Sequence, residues 1–205
     1  MKTLFGLMMI FFFLLLPFLL IGFVVWLIRK SASMNAQKFS KIASALSGEV
    51  VKDAKGNPIY VRVATDRADV RIFTSRERPS ASDDSPPNEY LVMQLMLPLG
   101  FTMFLSRDNA IFKLFGKLGA VTDINVGDPE FDKKFLIRSD TPAPVIAYLQ
   151  NPDRRAAIYN LEKKHFQMLI VRPDCIEIRK MYFPNPDLIE ANLVDYIASL
   201  KQLVD

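Results

Sequence analysis

The chain has 205 residues, with 26 Lys+Arg against 22 Asp+Glu, one cysteine and one histidine. Residues 1–30 hold Lys2, Arg29 and Lys30 and no acid, so the rest stands at 23 against 22 and is close to neutral. That balance, with no Lys/Arg-rich run, excludes the basic footprint of a nucleic-acid binder. A single cysteine, Cys175, also excludes an intrachain disulfide framework.

Thr3 to Ile28 contains no charged residue and is followed at once by Arg29 and Lys30. About 20 apolar residues suffice to cross a bilayer core of roughly 30 Å, so the run predicts a single-pass transmembrane helix. Pro17 would kink it, and Trp26 suits an interface. The run is too long for the apolar region of a signal peptide, and its basic flank replaces the neutral cleavage region, so the anchor is expected to be retained. Arg29, Lys30, Lys38 and Lys41 outnumber the α-amino group and Lys2. This predicts an inner (plasma) membrane protein with its soluble domain on the cytoplasmic side; the outer face is the alternative.

Residues 31–48 read as a juxtamembrane amphipathic helix. Phe39, Ile42 and Leu46 recur at helical spacing, and Gly48 is the stop signal. A soluble α+β domain then spans 49–205, with two lobes, 49–119 and 120–205, as an alternative. Val50-Val51, a turn at Ala54–Asn57 and the alternation of Ile59, Val61 and Val63 predict a hairpin, with a third strand at 70–74. Residues 76–89, with three prolines, read as a surface loop. Tyr90 to Leu105 is the most apolar part of the domain. Pro98-Leu99-Gly100 splits it into two strands joined by a tight turn, expected at the centre of the sheet. A helix follows over 109–118, capped by Asp108, with Ile111, Phe112, Leu114, Phe115 and Leu118 on one side and Lys113 and Lys117 on the other.

The most distinctive stretch is Gly127-Asp128-Pro129-Glu130-Phe131-Asp132-Lys133-Lys134-Phe135. Asp128, Glu130 and Asp132 are candidate oxygen ligands for a hard cation, although the spacing is not that of a calcium loop. The structural reading is favoured: Gly-Asp-Pro makes a turn, Asp128 caps the next segment, and Phe131 and Phe135 share a buried side. After a short strand at 135–138, Thr141-Pro142, Asn151-Pro152-Asp153 and Asn185-Pro186-Asp187 each signal a helix start. Phe166–Val171 and Cys175–Arg179 read as a second hairpin. Cys175 and His165 lie on either side of the first of these strands and its turn, without a catalytic signature, so a buried, inert thiol is expected.

The motif G-D-P-E-F-D-K-K-F, with the strand, paired helices, hairpin and final amphipathic helix after it, resembles uncharacterised bacterial single-pass membrane-anchored proteins. The resemblance covers 127–205 and implies an anchored α+β domain of antiparallel hairpins with packed helices. It implies no activity, no cofactor and no site residues.

There is no Gly-rich phosphate loop, no metal-spaced His/Cys cluster and no G-x-S-x-G. The chain therefore reads as a non-catalytic interaction or accessory module of a membrane complex. It would contact the bilayer through Thr3–Ile28 and a protein partner through its domain, without nucleic acid. One alternative is a carboxylate-based or metal-dependent enzyme using Asp128, Glu130 and Asp132. The other is a lipid-surface sensor using Lys113 and Lys117.

Overall fold

The computed structural model describes residues 2–77, 87–107 and 122–204. The expected helix over 109–118, with Lys113 and Lys117, and most of the 76–89 loop lie outside the described residues. Among the described residues nine strands form one antiparallel sheet in the order β1-β2-β3-β4-β9-β8-β5-β7-β6. They are β1 (Glu49–Lys52), β2 (Pro58–Ala64), β3 (Asp69–Glu77), β4 (Asn88–Leu95), β5 (Met103–Ser106), β6 (Thr122–Asp123), β7 (Leu136–Ser139), β8 (Phe166–Arg172) and β9 (Cys175–Met181). The helices are α1 (Lys2–Ala45), α2 (Pro129–Lys134), α3 (Pro142–Gln150), α4 (Pro152–Lys163), α5 (Pro184–Asp187) and α6 (Glu190–Lys201).

Register explains the core. Val61, Ile72, Met93, Ile178, Leu169, Leu105 and Ile137 are successive cross-strand partners and form an apolar row across seven strands. Side chains alternate along a strand, so the row marks one face. On it pack Phe39 and Ile42 of α1, Val145 and Leu149 of α3, Ile158 and Leu161 of α4, and Leu193 and Leu200 of α6, all in the same buried cluster. The opposite face holds a smaller cluster drawn from strands alone, namely Tyr90, Val92 and Met168 with Phe73 and Phe104 against them.

Several expectations need correction. Among the described residues no helix is long and apolar enough to cross a membrane. Thr3–Ile28 does lie in one continuous helix, α1, of 44 residues. The side chains of 2–15, Pro17 and Ile28, however, lie outside the described residues. The single-pass transmembrane fold class, the inner-membrane location and the choice of membrane face all rested on that span and are withdrawn with it.

Nor do β4 and β5 form a hairpin. β9 and β8 lie between them in the sheet, and the Pro98–Gly100 segment is a crossing, held where Leu99 N–H donates to the Pro173 carbonyl at 3.0 Å. The near-continuous apolar run of β4 reflects burial on both faces, which is compatible with non-adjacent strands. The two proposed lobes share this one sheet, since β4 pairs with β9.

Residues 31–45 are the end of α1 rather than a separate helix. Ser47 ends it in the left-handed region (φ 50), and Gly48 N–H donates to the Ala43 carbonyl at 2.8 Å, closing a Schellman turn. Gly48 is thus not the left-handed residue. It is glycine because a Cβ there would come within 2.8 Å of the Arg62 carbonyl oxygen.

Candidate functional site

The acidic motif was the leading chemical candidate, and local geometry gives each acid a different task. Gly127 turns the chain at φ 86, a conformation that favours glycine. Asp128 then caps α2, accepting from Phe131 N–H at 3.1 Å, with Pro129 at the first helical position. Asp132 reaches back and accepts from Val126 N–H at 2.9 Å and Gly127 N–H at 3.0 Å. Glu130 is exposed. The three carboxylates therefore do not converge. Among the described residues no group of three or more His, Cys, Asp or Glu is placed to hold a metal.

What the motif builds is a joint between helices. Asp128 lies 3.2 Å from Arg155 Nε at the start of α4. Arg155 in turn donates to the Leu149 and Gln150 carbonyls, at 2.6 and 3.0 Å, which end α3. Arg154 donates to the Tyr148 carbonyl at 3.3 Å. Two guanidinium groups thus satisfy carbonyls that a helix end leaves without partners. Beneath them Phe131 is fully buried, 4.8 Å from Phe135 and 5.6 Å from Tyr159 between ring centroids.

Cys175 and His165 are not a catalytic pair. His165 precedes β8 and Cys175 opens β9 opposite Arg172, at the far end of β8, whose seven residues span about 20 Å. Cys175 is buried, and that burial pushes its thiol up despite a hydrogen bond with Arg172, which keeps it from the thiolate form that reacts.

Two buried charged clusters escaped the sequence reading, since a lone polar residue in an apolar strand gives no sign of its partners. Lys180 Nζ lies 2.6 Å from Asp187 Oδ1 and donates to Tyr196 Oη at 3.0 Å. Asp187 Oδ2 also accepts from Phe183 N–H at 2.7 Å. On the other face Glu177 accepts from Arg172 at 2.5 Å and from Gln94 at 2.7 Å, and Arg179 links it to Glu77. Every carboxylate here is occupied within the fold. A cavity lined by Leu105, Phe135, Leu161 and Ile178 has about 20 Å³, room for one water and no substrate.

The remaining feature is α1 itself. Its last turns are docked, with Phe39, Ile42 and Ala43 buried. Earlier, Leu16 and the residues from Phe18 to Leu27 are exposed; Phe18 is 72%, Leu20 59% and Trp26 52% accessible. Phe23 stacks on Trp26 at 5.8 Å, and Lys30 lies over the Trp26 ring at 4.9 Å. These side chains point to every side of the helix, because more than two consecutive turns are exposed without interruption.

No family model and no curated protein matches the chain. Among solved structures it is similar to the mycobacterial trehalose monomycolate transport factor A, TtfA, at a TM-score of 0.50 and 9% identity, over 82% of this chain and 90% of that one. At that identity the likeness is one of fold.

Proposed function

We propose that the protein is a non-catalytic accessory module whose α1 is taken up by a partner protein assembly. The observation that carries this reading is the uninterrupted exposure of large apolar side chains from Phe18 to Leu27. Contiguous apolar surface of this kind marks an interaction site, because leaving it in water is unfavourable. A helix apolar all round needs cover all round, which one flat contact does not give. The fitting partner is therefore a group of helices that encloses α1. The domain would act as the body that α1 holds in place.

The fold neighbour supports the same class, since it is a transport factor. That likeness supports reading the chain as an accessory component of a transport assembly. The enzyme reading draws no support from Asp128 and Asp132, whose oxygens are engaged by the backbone of their own turn.

The test is photo-crosslinking in the native cell, with a benzophenone side chain at Phe18 or Phe23 and, as a control, at exposed Ala64 on β2. The expected result is one discrete protein adduct from the α1 positions that the control lacks. Equal, diffuse labelling from all three positions would remove the basis for the reading.

A further inference from the structure

We infer that Lys38, Glu89 and Tyr182 form an orientation lock that sets the direction in which α1 leaves the domain. Among the described residues, the apolar contacts of α1 with the core lie at its end, at Phe39, Ile42, Ala43 and Ala45. Such contacts are non-directional and fix depth better than angle. Lys38, one position before them, supplies the angle. Its side chain is only 12% exposed, its Nζ lies 2.5 Å from Glu89 Oε1, and it sits over the Tyr182 ring at 4.4 Å. A third contact runs to Thr74 Oγ1 at 3.5 Å.

The seat of this lysine is fixed from two strands. Thr74 and Glu89 belong to the paired strands β3 and β4, and the Glu89 carbonyl accepts from Tyr182 N–H at 2.8 Å just beyond the end of β9. Arg76 Nη2 lies 3.9 Å from the other Glu89 oxygen and steadies the carboxylate. The carboxylate of Glu89, the hydroxyl of Thr74 and the face of Tyr182 together surround one partly buried ammonium, and this three-sided seat specifies direction.

Leverage makes the angle matter. α1 is continuous from Lys38 back through the exposed stretch. Leu16 therefore lies about 33 Å from Lys38 along the helix at 1.5 Å per residue. A tilt of about 10° at the lock moves that end by about 6 Å, roughly one helix turn.

Trp26 is the only tryptophan in the chain, so its time-resolved fluorescence anisotropy reports α1 motion in the full-length protein in mild detergent. The wild type should tumble with the particle. Lys38→Met and Glu89→Gln should each at least double the amplitude of the fast component. Lys41→Met, at an exposed position one turn on, should leave it unchanged. Glu89→Gln keeps the side chain's shape and provides the test if Lys38→Met does not fold. Wild-type decay in Glu89→Gln, or equal loosening in Lys41→Met, overturns the lock. No partner enters this experiment, so its outcome is separate from that of the crosslinking.

Discussion

On the helix-covered face of the sheet, Lys180 and Asp187 meet at 5% and 0% exposure and are closed over by α6 through Tyr196. On the opposite face, Glu177 is equally hidden, at 2%, but its partners grade outward: Arg179 is 13% exposed, Gln94 half-buried and Arg172 40% exposed. The first cluster joins one ammonium and one carboxylate, both almost closed to water, with Tyr196 hydrogen-bonded to each. The second is one acid divided among several donors, of which Arg172 reaches solvent. Removing a member should therefore cost most where the survivor has nowhere to turn.

The sharpest break in this comparison is Asp187→Ala. It strands a buried ammonium and also frees Phe183 N–H. Leaving one charge of a buried pair uncompensated costs roughly 3–5 kcal/mol. Denaturant unfolding should show a loss of that size, and Asp187→Asn should recover part of it by keeping an acceptor. A loss below about 1 kcal/mol, the range of exposed pairs, would mean that Lys180 escapes to water and the two faces are alike.

Next in size is a contrast within α1. Ile42 is fully buried, and Ile42→Ala should cost roughly 2–5 kcal/mol. Leu20 is 59% exposed, and Leu20→Ala should change domain stability by no more than about 0.5 kcal/mol. The same pair should reverse order in crosslinking from α1, where Leu20 contributes and Ile42 does not. Equal stability losses would show that the exposed stretch packs on the domain.

What was legible in the sequence was local. Asn151-Pro152-Asp153 starts a helix because the Asn151 side chain accepts from Asp153 N–H at 2.8 Å, a bond between near neighbours. Asp128 is a cap for the same reason. The third signal of this kind misled. Asn185-Pro186-Asp187 opens no long helix: α5 ends at Asp187, whose carboxylate is drawn to Lys180, and α6 begins three residues later. Pro98–Gly100 misled likewise, because a turn signal says that the chain bends and not which strand it next meets. The buried acid Glu177 lies between Ile176 and Ile178 and reads as a solvent-facing position by alternation. Only the register, which sets it beside Gln94 and within reach of Arg172, shows otherwise. The uncharged run of α1 was plain in the sequence, and so was the part that docks, since Phe39 and Ile42 recur at helical spacing between polar residues and both are buried.

The smallest effect expected is a pH dependence, and it isolates Glu177. Burial alone would raise its carboxyl, but the hydrogen bonds from Arg172 and Gln94 and the charge of Arg179 outweigh it and hold the group below its ordinary value of 4.5. A group whose pKa falls on folding binds fewer protons in the folded state, so its contribution is present above pH 4.5 and is lost as pH falls through the folded value. Wild-type stability should therefore drop on acidification below pH 4.5. Glu177→Gln removes that contribution, so its stability curve should be shallower in this window while lying lower at pH 7. Glu89, also held low by Lys38 against its burial, leaves a residual slope in the variant, and the double variant with Glu89→Gln should flatten it further. Parallel wild-type and Glu177→Gln curves would mean that the arginines follow the carboxylate into the unfolded chain, and that the second face binds its acid no more firmly than water does.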